Sequence, residues 1–210
     1  MIETLINRFE ALKGNRKSSE IKALSCILYH FGLSYRKVAK ALERFEGFSH
    51  QSVKDWYRKA RKLLPIVKPK HRKAIAVDET KIKLENEQLF LWEAIDLETR
   101  EVIAVHVSYG RSGLDAYLFL KKALKACKNK PIVYVDRGPW YNFPGRALGL
   151  RLKVETFGKR NVVEQWFSLL KERLKRFWKR FPFRSSIESV LLWIESFATI
   201  YNLIIWSAKS

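Results

Sequence analysis

Cysteine is scarce in this sequence: Cys26 and Cys127 are far apart and each sits in an apolar, helical context. There is no CxxC pair, so a disulfide-stapled fold is excluded and both thiols are expected as reduced core residues. The histidines, His30, His50, His71 and His106, share no zinc-ligand spacing, and no zinc site is expected. Methionine occurs once and glutamine is rare beside abundant Lys and Glu, a balance that leans toward a thermophilic source. No internal repeat, low-complexity segment or signal peptide is read. Long hydrophobic runs are also lacking. The nearest approach, residues 187–206, is interrupted by Glu188, Glu195 and Asn202, which would be costly in hydrocarbon. A buried helix of a soluble protein is expected there, with no membrane partner.

Acidic residues are few as well. Twenty-one Asp plus Glu stand against 41 Lys plus Arg, a formal net charge of +20. Such a field concentrates a polyanion and holds it by releasing counterions from its phosphates. Hydrophobic residues at 47% suffice for a real core. The first 64 residues read as short helices. Ser18 or Ser19 caps one running to about His30 with the stripe Ile21, Leu24, Leu28 and Phe31, and Gly32 ends it. Ser34 opens the next, where Tyr35, Val38, Ala39, Leu42 and Phe45 follow helical spacing. Gly47 breaks that helix, and Ser49 caps a third running to about Leu64. Val53, Trp56, Tyr57, Ala60 and Leu64 face inward, while His50, Gln51, Lys54, Arg58, Arg61 and Lys62 stay outside. This is a helix-turn-helix pattern, expected as an all-α DNA-binding domain over residues 1–64. His50, Gln51 and Lys54 near the start of its third helix are expected to read bases, with Arg58, Arg61 and Lys62 on phosphates.

Residues 65–73 are basic and punctuated by Pro65 and Pro69, which marks a linker. From residue 74 to residue 210 the pattern changes. Strands are expected over 74–80, 89–96, 101–108, 131–136 and 150–156, a helix from Gly113 to about Lys128, and long helices over 162–180 and 187–207. The order describes an α/β domain, a mixed sheet flanked by helices, within a chain that is α+β overall.

Two of these strands end in aspartate, Ile75-Ala-Val-Asp78 and Ile132-Val-Tyr-Val-Asp136, and Glu164 lies in the first turn of a helix. If the strands are neighbours, the three carboxylates converge on hard divalent cations, Mg²⁺ or Mn²⁺. Two such ions roughly 3.5–4 Å apart serve phosphoryl transfer by activating a hydroxyl and stabilising the leaving oxygen. Blander readings stand beside this one: either aspartate opens a loop, and Asn161-Val-Val-Glu164 fits a capping box. Other acids are set aside. Alternation turns Glu79 to the opposite face from Asp78. Asp96 and Glu98 lie at a hairpin turn, and Asp115 opens a helix. Arg137, Lys159, Arg160, Lys171 and Lys175 ring the proposed carboxylates with cations suited to a phosphodiester. Trp140 and Tyr141 either pack in the core or stack on unpaired bases.

Four ordered blocks together resemble compact insertion-sequence transposases. They are Gly32-Leu-Ser-Tyr-Arg with Gly47-Phe-Ser-His-Gln-Ser-Val-Lys-Asp-Trp56, then Ala76-Val-Asp78-Glu-Thr-Lys81 with Leu91-Trp-Glu-Ala-Ile-Asp96. Val135-Asp136-Arg-Gly-Pro-Trp-Tyr141 and Arg160-Asn-Val-Val-Glu164-Gln-Trp-Phe complete the set. The nearest family is the IS-six family, its archaeal branch in particular. The resemblance implies a DDE transposase with a ribonuclease-H-like fold and Mg²⁺ dependence, with Asp78, Asp136 and Glu164 as its metal-binding triad. It further implies double-stranded DNA, both element ends and target, as partner, in the cytoplasm of a prokaryotic cell at its nucleoid. Synapsis of two ends implies a homo-oligomer, with the C-terminal helix as a contact. Two other readings fit the same residues. One is a DNA-binding regulator or inactive remnant using only the helix-turn-helix, and the other is a ribonuclease-H-like nuclease without strand transfer.

Overall fold

The computed structural model describes residues 2–10, 16–63, 67–155, 158, 161–175, 181 and 185–208. Along the chain come helices α1 (Ile2–Glu10), α2 (Ser19–His30), α3 (Tyr35–Leu42) and α4 (His50–Leu63). Strands β1 (Ala74–Leu84), β2 (Glu87–Asp96) and β3 (Val102–Ser108) follow, then α5 (Gly113–Leu124) and β4 (Ile132–Val135). A 3-10 turn (Pro139–Tyr141) leads into α6 (Asn142–Ala147), β5 (Leu152–Val154), α7 (Asn161–Lys175) and α8 (Ile187–Ser207). These pack into two compact units, Met1–Ile66 with Leu192–Ser210, and Val67–Leu191.

In the first unit the capping serines do what their position suggests. Ser18, Ser34 and Ser49 accept the backbone N–H groups of Ile21, Lys37 and Ser52 at 3.2–3.3 Å, supplying partners that helix starts otherwise lack. Val53, Trp56, Tyr57 and Ala60 are buried as expected, and Leu64 lies outside the described residues. Phe31 and Phe45 depart from expectation. They are 62% and 79% exposed because α2 and α3 stop at His30 and Leu42, so neither phenylalanine continues its helical stripe.

Residues 192–210 fall in this first compact unit. Trp193 donates its indole N–H to Tyr29 at 2.9 Å, Phe197 stacks on His30, and buried Glu195 pairs with Arg61 at 2.5 Å. By length and composition α8 could cross a membrane, but 61% of its most apolar window is buried inside the structure. Its apolar side therefore serves largely as core.

The second unit is a five-stranded sheet in the order β3-β2-β1-β4-β5. β1, β2 and β3 are antiparallel neighbours, while β4 joins β1 in parallel and β5 joins β4 in parallel. β1 runs past Thr80 because Ile82 and Leu84 alternate inward with Lys81 and Lys83 outward, a period of two that the strand sustains to its turn. One face carries the main core: Ile75, Val77, Trp92, Ala94, Val133 and Val135 pack with Phe119, Leu120 and Ala123 of α5. α7 packs against β1 and β2, and its apolar residues lie outside that core, so it covers the other face. The linker is shorter than its composition suggests. Lys70 already bridges to Cys127, and the Arg72 side chain is fully buried between Asp96 and Glu101.

Candidate metal centre

The strand register brings the two aspartates together. Ala76 pairs with Tyr134 across parallel strands. Two residues further along each strand stand Asp78 and Asp136, on the same face as that pair because side chains alternate with period two. β4 ends at Val135, so Asp136 sits where the sheet's edge opens. Asp78 accepts the N–H of Glu79 at 2.9 Å, and Asp136 that of Gly138 at 2.8 Å. Gly138 is needed there: a Cβ would lie 2.4 Å from the Trp140 ring and 2.7 Å from the Asp136 carboxylate.

Alternation does turn Glu79 to the α5 face, where it pairs with Trp92 across the strands. Its carboxylate nonetheless reaches the two aspartates. Carboxylate oxygens of Asp78, Glu79 and Asp136 all lie within 4.8 Å of one another. With β4 finished, no strand separates the two faces beside β1, and a glutamate is long enough to reach around. The Glu79 side chain is 3% exposed and well held: Tyr141 donates its hydroxyl at 2.8 Å, Trp140 its indole N–H at 3.3 Å, and Arg111 approaches at 3.3 Å. The Arg111 guanidinium also lies 3.9 Å from the Trp140 ring centroid. Burial pushes the Glu79 carboxyl up; the Tyr141 bond opposes this, and Asp136 and Asp78 add to the rise. Trp140 and Tyr141 thus serve packing and the Glu79 network.

Glu93 was missed as well. It faces Asp78 directly across the β1–β2 pair and is completely buried. Burial, and then the Asp78 charge, hold its carboxyl well above the usual range. A lone acid within the apolar run of residues 89–95 was the available signal.

Glu164 is exposed in the first turn of α7 and lies outside the group of three carboxylates. Its helix covers the face that carries Asp78. Asn161 is the first residue of that helix, which moves the cap position to residue 160, outside the described residues. Lys159 and Arg160 lie outside them too. Arg137, Lys171 and Lys175 are exposed, and the two lysines join Lys81 and Lys83 in lining a cleft of about 870 Å³ along the β1–β2 hairpin. In the first unit His50, Gln51 and Lys62 are exposed, and Lys54 and Arg58 are half-buried. Arg61 is drawn into the ion pair with Glu195. Asp96 and Asp115 have other work, in a turn with Arg72 and in a capping box with Ser112.

A mixed sheet of this order, three antiparallel strands extended by two parallel ones with aspartates on adjacent strands, defines a ribonuclease-H-like domain. Residues 72–203 match a family described as a DDE domain. A protein of Methanocaldococcus jannaschii, the uncharacterized MJ0017, is 45% identical over 95% of this chain and 93% of its own length. The transposase for insertion sequence-like element IS431mec of Staphylococcus aureus is 32% identical over 52% of this chain and half of its own length. Among solved structures, an intasome of simian T-cell lymphotropic virus with the PP2A regulatory subunit B56 gamma aligns at a TM-score of 0.49 and 17% identity. That alignment covers 80% of this chain and 67% of the other. The chain belongs to the DDE-domain transposase family, and the resemblance to the IS-six family is borne out.

Proposed function

We propose that the protein is the transposase of an insertion sequence, cutting the element's ends and joining them to target DNA. The observation that carries this reading is the meeting of Asp78 and Asp136, from separate strands, in one carboxylate group with Glu79. Hard oxygen donors so close together fit Mg²⁺ or Mn²⁺. Asp78 and Asp136 would hold the metal, with Glu164 as a third ligand brought by α7. When bound, the metal lowers the barrier to attack on a phosphodiester and stabilises the leaving oxygen.

The chain's own residues position the reactants. Water attacks the phosphorus at the element end, and the P–O3′ bond breaks to leave a 3′-hydroxyl. That hydroxyl attacks a target phosphodiester, gives up its proton, and displaces the target's own 3′-oxygen. Lys171 and Lys175, with Lys81 and Lys83 in the same cleft, hold phosphates beside the cut, joined by Arg137, Lys159 and Arg160. In the helix-turn-helix, His50, Gln51 and Lys54 of α4 read the terminal repeat while Arg58 and Lys62 sit on phosphates. The protein acts in the cytoplasm as a homo-oligomer, since two ends must be held at once.

The test is Asp136→Ala. Joined donor–target product should vanish in Mg²⁺ while the gel shift on the element's ends stays close to that of the parent. Full joining by the variant would sink the proposal. End binding by the parent with no cleavage in any divalent metal would instead favour a regulator that uses only its helix-turn-helix.

A further inference from the structure

The parallel ladder between β1 and β4 ends at the Ala76–Tyr134 pair, two residues short of Asp136. After Val135 the chain leaves the sheet, so strand pairing alone does not hold the second aspartate against the first. Groups that share a metal need placement to within about 0.5 Å, and the turn after β4 must be fixed by other means. Its aromatic side chains supply the link. Trp140 donates its indole N–H and Tyr141 its hydroxyl to one oxygen of Glu79, Oε2, at 3.3 and 2.8 Å. Arg111, in the loop between β3 and α5, approaches the other oxygen, Oε1, at 3.3 Å.

The turn passes that hold on to Asp136. Gly138 donates its N–H to the Asp136 carboxylate at 2.8 Å. A Cβ at residue 138 would lie 2.4 Å from the Trp140 ring and 2.7 Å from that carboxylate, so ring, backbone and acid are packed in direct succession. The Arg111 guanidinium, 3.9 Å from the Trp140 ring centroid, steadies the ring as well. On β1 the gripping residue is the immediate neighbour of Asp78, so both aspartates answer to one side chain. An acid beside two others repels them. Packing would be served as well by an apolar residue at position 79, whereas only an acceptor gathers these three donors.

We propose that Glu79 is a positioning residue: its side chain clamps the turn of residues 137–141 to β1 and so holds Asp136 in place opposite Asp78. This rests on the metal-site reading above and extends it to a residue outside the Asp78–Asp136–Glu164 set. Glu79 acts through the hydrogen bonds it accepts and is not itself a ligand. Glutamine at position 79 can therefore stand in for it. An amide oxygen where Oε2 now lies accepts from both aromatic donors, and the Arg111 side chain, 39% exposed, is free to turn toward solvent.

The test measures Mn²⁺ affinity of the metal-stripped, full-length protein from the electron paramagnetic resonance signal of the free ion, beside kcat for strand joining and KM for the element's end. Trp140→Phe combined with Tyr141→Phe leaves the carboxylate in place and removes both aromatic donors. It should weaken Mn²⁺ binding about 10–100-fold, the usual effect of losing a group that orients a metal ligand, and lower kcat with KM unchanged. Glu79→Gln, the conservative change, should keep most of the parent's affinity and rate. Thermal melts followed by circular dichroism check that each protein folds. Should the double variant fail to fold, Tyr141→Phe alone serves, with a smaller loss in the same direction. Parental affinity and kcat in the donor-less variant would overturn this inference alone. So would a Glu79→Gln protein that loses Mn²⁺ as fully as Asp136→Asn, for then the acid is a ligand. No Mn²⁺ on the parent would overturn the metal reading of the whole site.

Discussion

The phenol of Tyr141 donates a 2.8 Å hydrogen bond to Glu79, a residue 62 positions earlier in the chain. Asp78, next to Glu79, accepts the Glu79 N–H at 2.9 Å. Neighbouring acids on one strand thus lie on opposite faces of the sheet, Glu79 on the α5 side and Asp78 on the other. Tyr141→Phe removes a donor from a nearly buried carboxylate, a loss that costs about 1–3 kcal/mol. The same bond pulls the Glu79 carboxyl down, so its removal should let burial push that group higher still. Urea denaturation at neutral pH checks the first expectation, and unchanged stability would mean that the network is idle.

Glu93 makes a prediction about pH. Its folded-state pKa is raised well above the ordinary 4.5. Below that ordinary value both folded and unfolded chains keep the proton, and the contribution to stability is complete. As pH rises the unfolded chain releases its proton first, so stability falls until pH passes the folded value. In EDTA, the parent should therefore lose stability with rising pH relative to Glu93→Gln, because Glu79 contributes equally to both proteins. Parallel stability curves across the acid-to-neutral range would count against the burial of a titrating acid at this position.

Much of this architecture was legible from residue patterns. Apolar runs closing on Asp78 and Asp136 announced themselves because burial on both faces demands continuous Val, Ile and Ala, which makes the acid after them conspicuous, although β1 runs on past Asp78 to Leu84. Capping serines marked helix starts for an equally local reason. What local pattern did not carry was reach. Alternation placed Glu79 on the correct face, but only the early end of β4 tells that its carboxylate can round the edge. Glu93 stayed hidden because its meaning depends on pairing with Asp78, and strand register is a tertiary fact. The allegiance of residues 192–210 depends on aromatic contacts with Tyr29 and His30, more than 160 residues away in sequence for the Trp193–Tyr29 bond.

Gly138 offers a test of how tightly the second aspartate is placed. A methyl group there would press on the Trp140 ring and on the Asp136 carboxylate at once. Relief moves one of them, and displacements near 1 Å at a catalytic group cost about 10²-fold in rate. Gly138→Ala is expected to slow strand joining by roughly that factor and to weaken Mn²⁺ binding, with its melting temperature less affected. Joining assays beside metal titrations check it; parental rates would mean that the loop relaxes away from Asp136.

Arg72 anchors the start of the sheet unit. Its fully buried guanidinium serves Asp96 and Glu101, and its Nε donates to the Ala126 carbonyl at 3.0 Å. Truncating one partner of a buried ion pair strands the others, which costs about 3–5 kcal/mol. Arg72→Ala should lose stability on that scale in chemical denaturation, although the residue reads in sequence as one more cation of a basic linker. A change within experimental error would return it to that role.

Arg61 and Lys62 adjoin on α4, and the structure separates their roles. Arg61 is paired at 2.5 Å with Glu195, whose side chain is only 3% exposed, whereas Lys62 is exposed. On duplex DNA each phosphate neutralised by a cation contributes about 0.9 to the slope of log affinity against log salt. If Lys62 sits on a phosphate, Lys62→Ala should flatten that slope by about one such contact while leaving thermal stability alone. Arg61→Ala should do the reverse, lowering the melting temperature by stranding Glu195 and leaving the slope nearly unchanged. Binding isotherms at several salt concentrations, with melts of both variants, decide the matter. Equal slopes for the two variants would mean that the Glu195 pair opens when DNA arrives and that Arg61 makes a phosphate contact after all.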